Sequence, residues 1–492
     1  MDGVILSSPG SWGEILFPRV FGDWTIVRAV SIIWRDPVGI GLSAVFGVCR
    51  VLKKICFPLT LKVTVMSVCS PYFNPAAETM SQDEILSLQN QKLKEVVAYV
   101  YKNNSIMRGL LDQAGVIPED FRGIEDVTKL PIVTKETFRT TYPLGLCCRP
   151  KEELREMHMS SGSTGTPVVM GYTPNDLRQW AECMARCYRM AGGYPNDVVQ
   201  ITPSFGLFNG GFGMYHGARM AELFVIPTGS GNTERQVMLA RDFKTKILTA
   251  VVSYSIRIAE VMNRLGVELP NLKVGIFGAE SLTKSMTKRI SSELNIEAFN
   301  IYGMTETGGV GTLGCDCGDH SGIHVWEDQY YLEVVDPVTK NPLPDGELGE
   351  LLVTSLTREA IPVLRYKTGD LTRIVSRQKC ACGRTHIKID NIAGRTDDML
   401  IIKGVNFFPA QVEQALLEIP GVHPHYQIVI EETAGVKDIR VNVEAEDGVT
   451  GYTVAKHLKE RLGFSPKGDV FKPGTLPRQE GKAVRVIFKN ND

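Results

Sequence analysis

From Pro71 onward the apolar positions follow two rhythms. Ser81 and Glu84 form a capping-box pattern, and Ile85, Leu88, Leu93, Val96, Val97 and Val100 recur near helical spacing. That pattern predicts an amphipathic helix over Ser81–Tyr101. Short apolar runs predict buried strands at Val198–Thr202, Leu223–Pro227, Thr249–Val252, Val274–Phe277 and Ala298–Tyr302, alternating with helical patterns at Asp176–Ala191 and Glu234–Phe243. Such alternation predicts a mostly parallel sheet in an α/β fold. Between about Glu327 and Val375 the chain turns to short strands, Tyr330–Val335, Gly349–Ser355 and Asp370–Val375. Pro337, Asn341, Pro342, Pro344, Asp345 and Gly346 punctuate them as turns. Near Asp397 the texture changes again. A helix at Pro409–Glu418, strands at Tyr426–Ile430 and Ile439–Ala445, and a helix at Val454–Leu462 predict a small α+β domain. The expected organisation is an extension over 1–70, a large α/β domain with mixed sheets and helices over 71–396, and a small C-terminal domain over 397–492. No internal repeat or low-complexity tract interrupts it.

The first 70 residues have no clear periodicity. They hold Trp12, Trp24 and Trp34, and an apolar run at Val38–Val48 followed by Arg50, Lys53 and Lys54. A spanning helix needs about 20 apolar residues, and a signal peptide needs an early basic region that this segment lacks. The segment is read first as an added, weakly folded extension, with Met66 and Met80 as internal methionines. Membrane anchoring is the less favoured reading. At 492 residues the chain is too long for one core, and 43% hydrophobic with 22% charged residues argues against disorder. Charge is balanced, 54 Lys plus Arg against 55 Asp plus Glu, so no whole-chain basic field exists for nucleic acid. Eleven cysteines spread over this length do not make a disulfide scaffold; they predict a reduced, cytoplasmic protein with thiols free for metal.

Candidate chemistry begins at Ser160-Ser161-Gly162-Ser163-Thr164-Gly165-Thr166-Pro167. Glycines let the backbone turn its N–H groups toward an anion, and hydroxyls add donors. The loop is not a Walker A sequence, and alone it reads equally as a flexible Ser/Gly turn. The strand-like Pro167–Tyr172 directly after it favours a nucleotide loop. Further motifs follow in order: Gly278-Ala279-Glu280, Tyr302-Gly303-Met304-Thr305-Glu306, Tyr366-Lys367-Thr368-Gly369-Asp370, Gly394-Arg395-Thr396-Asp397-Asp398 and Gly481-Lys482-Ala483. Together they resemble the adenylate-forming enzymes, which include acyl-CoA ligases. The runs 229–236, 322–328 and 399–406 resemble phenylacetate–CoA ligases in particular. The resemblance covers about Pro71 to Lys489.

The resemblance implies ATP-dependent, AMP-forming activation of an aryl acid as an acyl adenylate, then transfer to CoA. It implies roles for single residues. Lys482 would offset the repulsion between carboxylate and triphosphate, and Glu306 would hold Mg²⁺. Ser160, Ser161, Gly162, Ser163, Thr164 and Gly165 would cradle phosphate. Gly278, Ala279 and Glu280 would meet the adenine side, with Tyr302, Gly303 and Thr305 near the base. Asp370 would accept from the ribose hydroxyls, Arg395 would reach the nucleotide, and Asp397 would be the hinge about which the small domain turns. Each residue also has a structural alternative: Tyr302 as core, Glu306 as a helix cap, Asp370 as a turn residue, Lys482 as a solvated charge. Val168 stands where many relatives carry a lysine.

Cys317, His324, Cys380 and Cys382 resemble the ligand set of zinc-bearing members, with Cys315 and His320 as substitutes; free thiols are the alternative. For the acid pocket, Tyr142, Phe205, Phe208, Phe212, Tyr215 and Tyr254 are candidate aromatics, with Gly278 and Ala279 beside them. The glycines of Phe208–Gly213 suit a close-packed pocket wall, without a strand–turn–helix dinucleotide unit. Expected partners are the acid, ATP and CoA, and a homodimer stays open. The rival readings are an adenylating enzyme for another acid or a deazaflavin-type acceptor, and a zinc-stabilised binding protein without chemistry.

Overall fold

The computed structural model describes residues 14–18, 24–28, 70–160, 166–396, 400–402, 405–433, 436–463, 466–478 and 483–490. The chain divides into two compact units, Met1–Val68 and Cys69–Asp492. In the first, strands β1 (Glu14–Pro18) and β2 (Trp24–Arg28) pair antiparallel, with Glu14 opposite Arg28. Among the described residues no helix is long and apolar enough to cross a membrane.

The second unit opens with the expected helix, observed at Gln82–Asn103. Ser81 Oγ accepts from Glu84 N–H, and the Glu84 carboxylate accepts from Ser81 N–H in return. Ile85, Leu93, Val96, Val97 and Val100 face the core. Gln89 is buried on the same face and donates to the Glu327 carbonyl at 3.1 Å. An antiparallel hairpin, β3 (Glu156–Met159) and β4 (Val169–Tyr172), then flanks the Ser/Gly loop.

The central sheet has nine strands. β5 (Val198–Ile201), β6 (Phe224–Ile226), β7 (Ile247–Val251), β8 (Val274–Gly278) and β9 (Glu297–Tyr302) run parallel. β10 (Gly314–Asp316) and β11 (Ile323–Val325) continue it antiparallel, followed by β16 (Lys388–Ile389) and β15 (Ile374–Ser376). Helices cover both faces, which explains why the parallel strands read as unbroken apolar runs. One core lies under helices Gln82–Asn103 and Pro174–Met190; another lies under Val252–Leu265 and Lys284–Leu294. A second sheet holds β12 (Tyr330–Val335), β13 (Gly349–Ser355), β14 (Tyr366–Thr372) and β17 (Gly394–Arg395).

Toward the C-terminus, β18 (Leu400–Ile402) and β19 (Val405–Phe407) form a hairpin. β20 (Val422–Thr433), β21 (Val436–Ala445), β22 (Lys467–Phe471) and β23 (Val486–Asn490) form a four-stranded sheet. Helices Pro409–Leu417 and Gly451–Leu462 pack on it around a separate core that includes Phe407, Val412, Ile428, Val441 and Leu458.

Two sequence readings need correction. The expected strand Asp370–Val375 is two strands: β14 starts earlier, at Tyr366, and β15 joins the other sheet. The glycine-rich run at Phe208–Gly213 does open a helix, Gly210–Met220, after β5. A Cβ on Gly213 would lie 2.3 Å from the Trp180 ring, and one on Gly217 would lie 2.2 Å from Met184 Cβ. Close approach of helix Pro174–Met190 selects those glycines, and packing outweighs their poor helix propensity.

Candidate active site and metal cluster

Four of the predicted motifs meet where β8 and β9 end, those at Gly278–Glu280, Tyr302–Glu306, Tyr366–Asp370 and Gly394–Arg395. Ligands of parallel α/β sheets gather at such carboxyl ends. Gly278 closes β8, where a Cβ would lie 3.0 Å from Ile301 Cγ1 on β9. Ala279 follows at a φ of +67°, which bends the chain out of the sheet. Gly303 follows Tyr302 so tightly that a Cβ would lie 2.3 Å from the Gly309 carbonyl oxygen. The turn beyond carries Thr305, whose Oγ1 accepts from Asn209 Nδ2 at 3.1 Å, and the buried Glu306.

Residues nearly 70 positions apart join at Asp370. Tyr302 donates its phenol to Asp370 Oδ2 at 2.6 Å, and Arg395 Nη1 donates to Oδ1 at 2.5 Å. Arg395 Nη2 also holds the Thr368 carbonyl, and Asp370 N–H donates to Thr368 Oγ1. β14 and β17 set this up, because Asp370 and Arg395 are direct cross-strand partners. Burial, then the Asp370 carboxylate, drives the Tyr302 phenol well above its ordinary range, so it stays a donor. Tyr366 is raised in the same way, by burial and then by Glu306. Both Asp370 oxygens are therefore engaged within the protein.

The Ser/Gly loop is pinned at its neck. Ser160 N–H donates to the Val168 carbonyl, and Val168 N–H donates to Ser160 Oγ, both at 2.9 Å. Ser161, Gly162, Ser163, Thr164 and Gly165 lie outside the described residues, as do Asp397 and Lys482. Val168 is fully buried, so the position after the loop proline packs the core. Glu280 makes contacts that the sequence did not indicate. Its carboxylate accepts from Ser253 N–H at 2.7 Å, Ser253 Oγ at 3.0 Å and Ala483 N–H at 2.7 Å.

Phe212 packs against Phe205 and His158, with centroids 5.4 and 5.5 Å apart. His158 and His216 both meet Glu156, at 3.3 and 3.2 Å, a polar group that periodicity gave no reason to expect. Those two histidines hold the Glu156 carboxyl down to about 2. Tyr142, by contrast, is 49% exposed.

The sulfur cluster assembles as spelled. The ligand atoms of Cys317, His324, Cys380 and Cys382 lie within 4.8 Å of one another. Cys317 Sγ is 3.7 Å from Cys380 Sγ, and Cys382 Sγ is 3.5 Å from His324 Nε2. A tetrahedral zinc with bonds of about 2.3 Å to sulfur and 2.0 Å to nitrogen has edges of about 3.5–3.8 Å. His324 Nδ1 faces the His386 carbonyl at 3.1 Å, which leaves Nε2 facing Cys382 Sγ. Hydrogen bonds from Cys317 and His324 pull the Cys382 thiol well below its ordinary range. Asp319, unremarked in the sequence, bridges Cys317, Cys380 and Lys388 Nζ. The two substitute ligands point elsewhere: His320 pairs with Asp316 and Glu297, and Cys315 is sequestered beside Cys187.

The sequence pattern of AMP-binding enzymes matches residues 88–357, and that of the AMP-binding enzyme C-terminal domain matches residues 404–489. The phenylacetate-coenzyme A ligase of Thermus thermophilus is 40% identical over 440 residues, covering 85% of this chain and 99% of that protein. Among solved structures, 2-hydroxyisobutyryl-CoA ligase in its postadenylation state is 26% identical with a TM-score of 0.80, over 86% of this chain and 93% of that one. The same ligase in its thioesterification state gives 0.64, over 89% and 95%. The order of the motifs, their meeting at the ends of β8 and β9, and identity along nearly the whole of a known ligase agree: the chain belongs to the AMP-binding enzymes, in the phenylacetate–coenzyme A ligase family.

Proposed function

We propose that this chain activates phenylacetate with ATP and passes the acyl group to CoA. The observation that carries it is the Tyr302–Asp370–Arg395 cluster beside Glu306, which brings three separate motifs of the family to one place. In the first half-reaction a carboxylate oxygen attacks the α-phosphorus of ATP. The O–P bond to pyrophosphate breaks, and acyl-AMP remains. In the second, the CoA sulfur bonds to the acyl carbon, the bond to AMP breaks, and the thiol proton is lost.

Asp370 and Arg395 would hold the ribose, and Glu306 would carry the Mg²⁺ that neutralises phosphate charge. The Ser/Gly loop that the Ser160–Val168 pair closes would cradle phosphate. Lys482 would balance the meeting of two anions, and residues 397–492 would turn about Asp397 between the half-reactions. Cys317, His324, Cys380 and Cys382 would hold a structural Zn²⁺, since four protein ligands leave no open position for chemistry.

The test is pyrophosphate release across a panel of aryl acids, with and without CoA. Phenylacetate-dependent release with phenylacetyl-CoA as product is expected. Release only with another acid, or AMP retained on the product without CoA use, would overturn the assignment.

A further inference from the structure

Helix Val252–Leu265 presents Ser253, Arg257 and Glu260 at steps of four and three residues, on one face. That face meets the C-terminal part of the chain. Glu260 lies 3.1 Å from His425 Nε2 and 3.6 Å from Arg478 Nη2, and Arg257 braces it at 3.2 Å. Arg478 also pairs with the buried Glu444 at 2.8 Å. Leu417 adds an apolar contact to the core beneath. At the start of the helix, Glu280 performs two separable tasks. Oε2 accepts from Ser253 N–H, which caps the helix, while Oε1 also accepts from Ala483 N–H across the junction.

The junction is lined by Arg257, His425, Arg478 and Arg485, which suggests an anion site at first sight. The same region holds Glu260, Glu280, Glu413 and Glu444, and Arg485 lies 3.5 Å from Glu413. Each basic side chain there already meets an acidic one. A paired network suits docking of two surfaces better than capture of a free anion.

We infer that Glu280 is a positioning residue for the first half-reaction, anchoring the chain at Ala483, directly after Lys482, to the start of helix Val252–Leu265, with Glu260 holding the same orientation two turns further on. The inference rests on the two-step reading above. Likeness to the postadenylation arrangement exceeds likeness to the thioesterification arrangement, which places these contacts in the earlier half of the cycle. A carboxylate accepting from both sides is required. A glutamine offers a single acceptor oxygen, and its NH₂ would face the Ser253 or Ala483 N–H donor.

The experiment compares the intact chain with Glu280→Gln and Glu260→Gln in each half-reaction. One arm follows phenylacetate-dependent ATP–pyrophosphate exchange. The other follows thioester formation from supplied phenylacetyl-AMP and CoA. Glu280→Gln is expected to slow exchange about tenfold while thioester formation stays within about twofold, and Glu260→Gln to show the same split at smaller size. Hydrogen exchange at 425–430 and 483–486 should quicken in both variants relative to the intact chain. Equal loss in both arms would mean a purely structural role, and unchanged exchange kinetics would mean no role; either overturns the inference. If the intact chain forms no adenylate with any acid, the proposed function fails. Hydrogen exchange then decides the docking contact separately, and unchanged protection in both variants would overturn it.

Discussion

Asp370 shows how a residue's chemistry depends on neighbours that are remote in sequence. Its carboxylate is held by a phenol raised out of its titrating range and by a guanidinium across a strand pair. A ribose would meet a fixed acceptor, so no reorganisation accompanies binding. Lys482 carries the sharpest expectation at this scale. Lys482→Ala should lower phenylacetate-dependent pyrophosphate release at least about a hundredfold and spare thioester formation from supplied acyl-AMP. Loss of both half-reactions in equal measure would refute the role. Gly303 offers a steric expectation instead. Its Cβ would sit 2.3 Å from the Gly309 oxygen and 2.8 Å from Gly311 N, so Gly303→Ala should cost about 1–3 kcal/mol in urea unfolding and slow adenylation as well. An unchanged unfolding midpoint would show that the turn has room.

The strands and helices of this chain follow local pattern where one face alone decides. The capping box at Ser81 and the runs of β7, β8 and β9 were readable because burial on regular faces imprints period and length. Helix Gly210–Met220 was not, since its glycines answer to Trp180 and Met184 on another helix. The loops of the metal cluster make a testable pair. β11 and β16 stand in antiparallel register, with His324 opposite Lys388, and so bring the two cysteine loops together. Chelation of zinc, or Cys380→Ser, should lower the melting temperature by at least about 5 °C, with about one zinc per chain measured in the untreated protein. No bound zinc and an unmoved melting temperature would rule the site out. A second expectation concerns helix Pro409–Leu417. Burial pushes the Glu413 carboxyl from its ordinary 4.5 up to about 7, against the pull of Arg485 and helped by the charge of Glu280. The folded state therefore keeps a proton that the unfolded state gives up. Its contribution is full below pH 4.5, declines as pH rises through about 7, and amounts to about 3 kcal/mol. Glu413→Gln should flatten that decline in urea unfolding between pH 5 and 8; an identical slope in both proteins would refute it.

Across the whole molecule, Met1–Val68 and Cys69–Asp492 separate as units, and the family patterns begin at residue 88. A chain starting at Met66 should therefore release pyrophosphate within about twofold of the full chain and melt at the same temperature. A marked loss of either would assign the first unit a part in the second. The order of the motifs along the sequence was enough to read the family and both half-reactions, because that chemistry requires particular residue types in a particular succession. The four Cys and His residues were named by their resemblance to zinc-bearing relatives, and the fold brings their sulfur and nitrogen atoms within 4.8 Å of one another.

What the order of residues could not convey was direction. Glu280 sits in a motif expected at the adenine side, yet its carboxylate turns to Ser253 and Ala483. Asp319 lies inside the cysteine-rich run, and only folding shows it between two sulfurs and Lys388. Sequence spacing specifies periodic faces and the identity of functional groups, since both are local properties of the chain. Which partner each charged group meets depends on contacts among strands and helices far apart in sequence, and desolvation makes those contacts selective. That choice belongs to the tertiary structure.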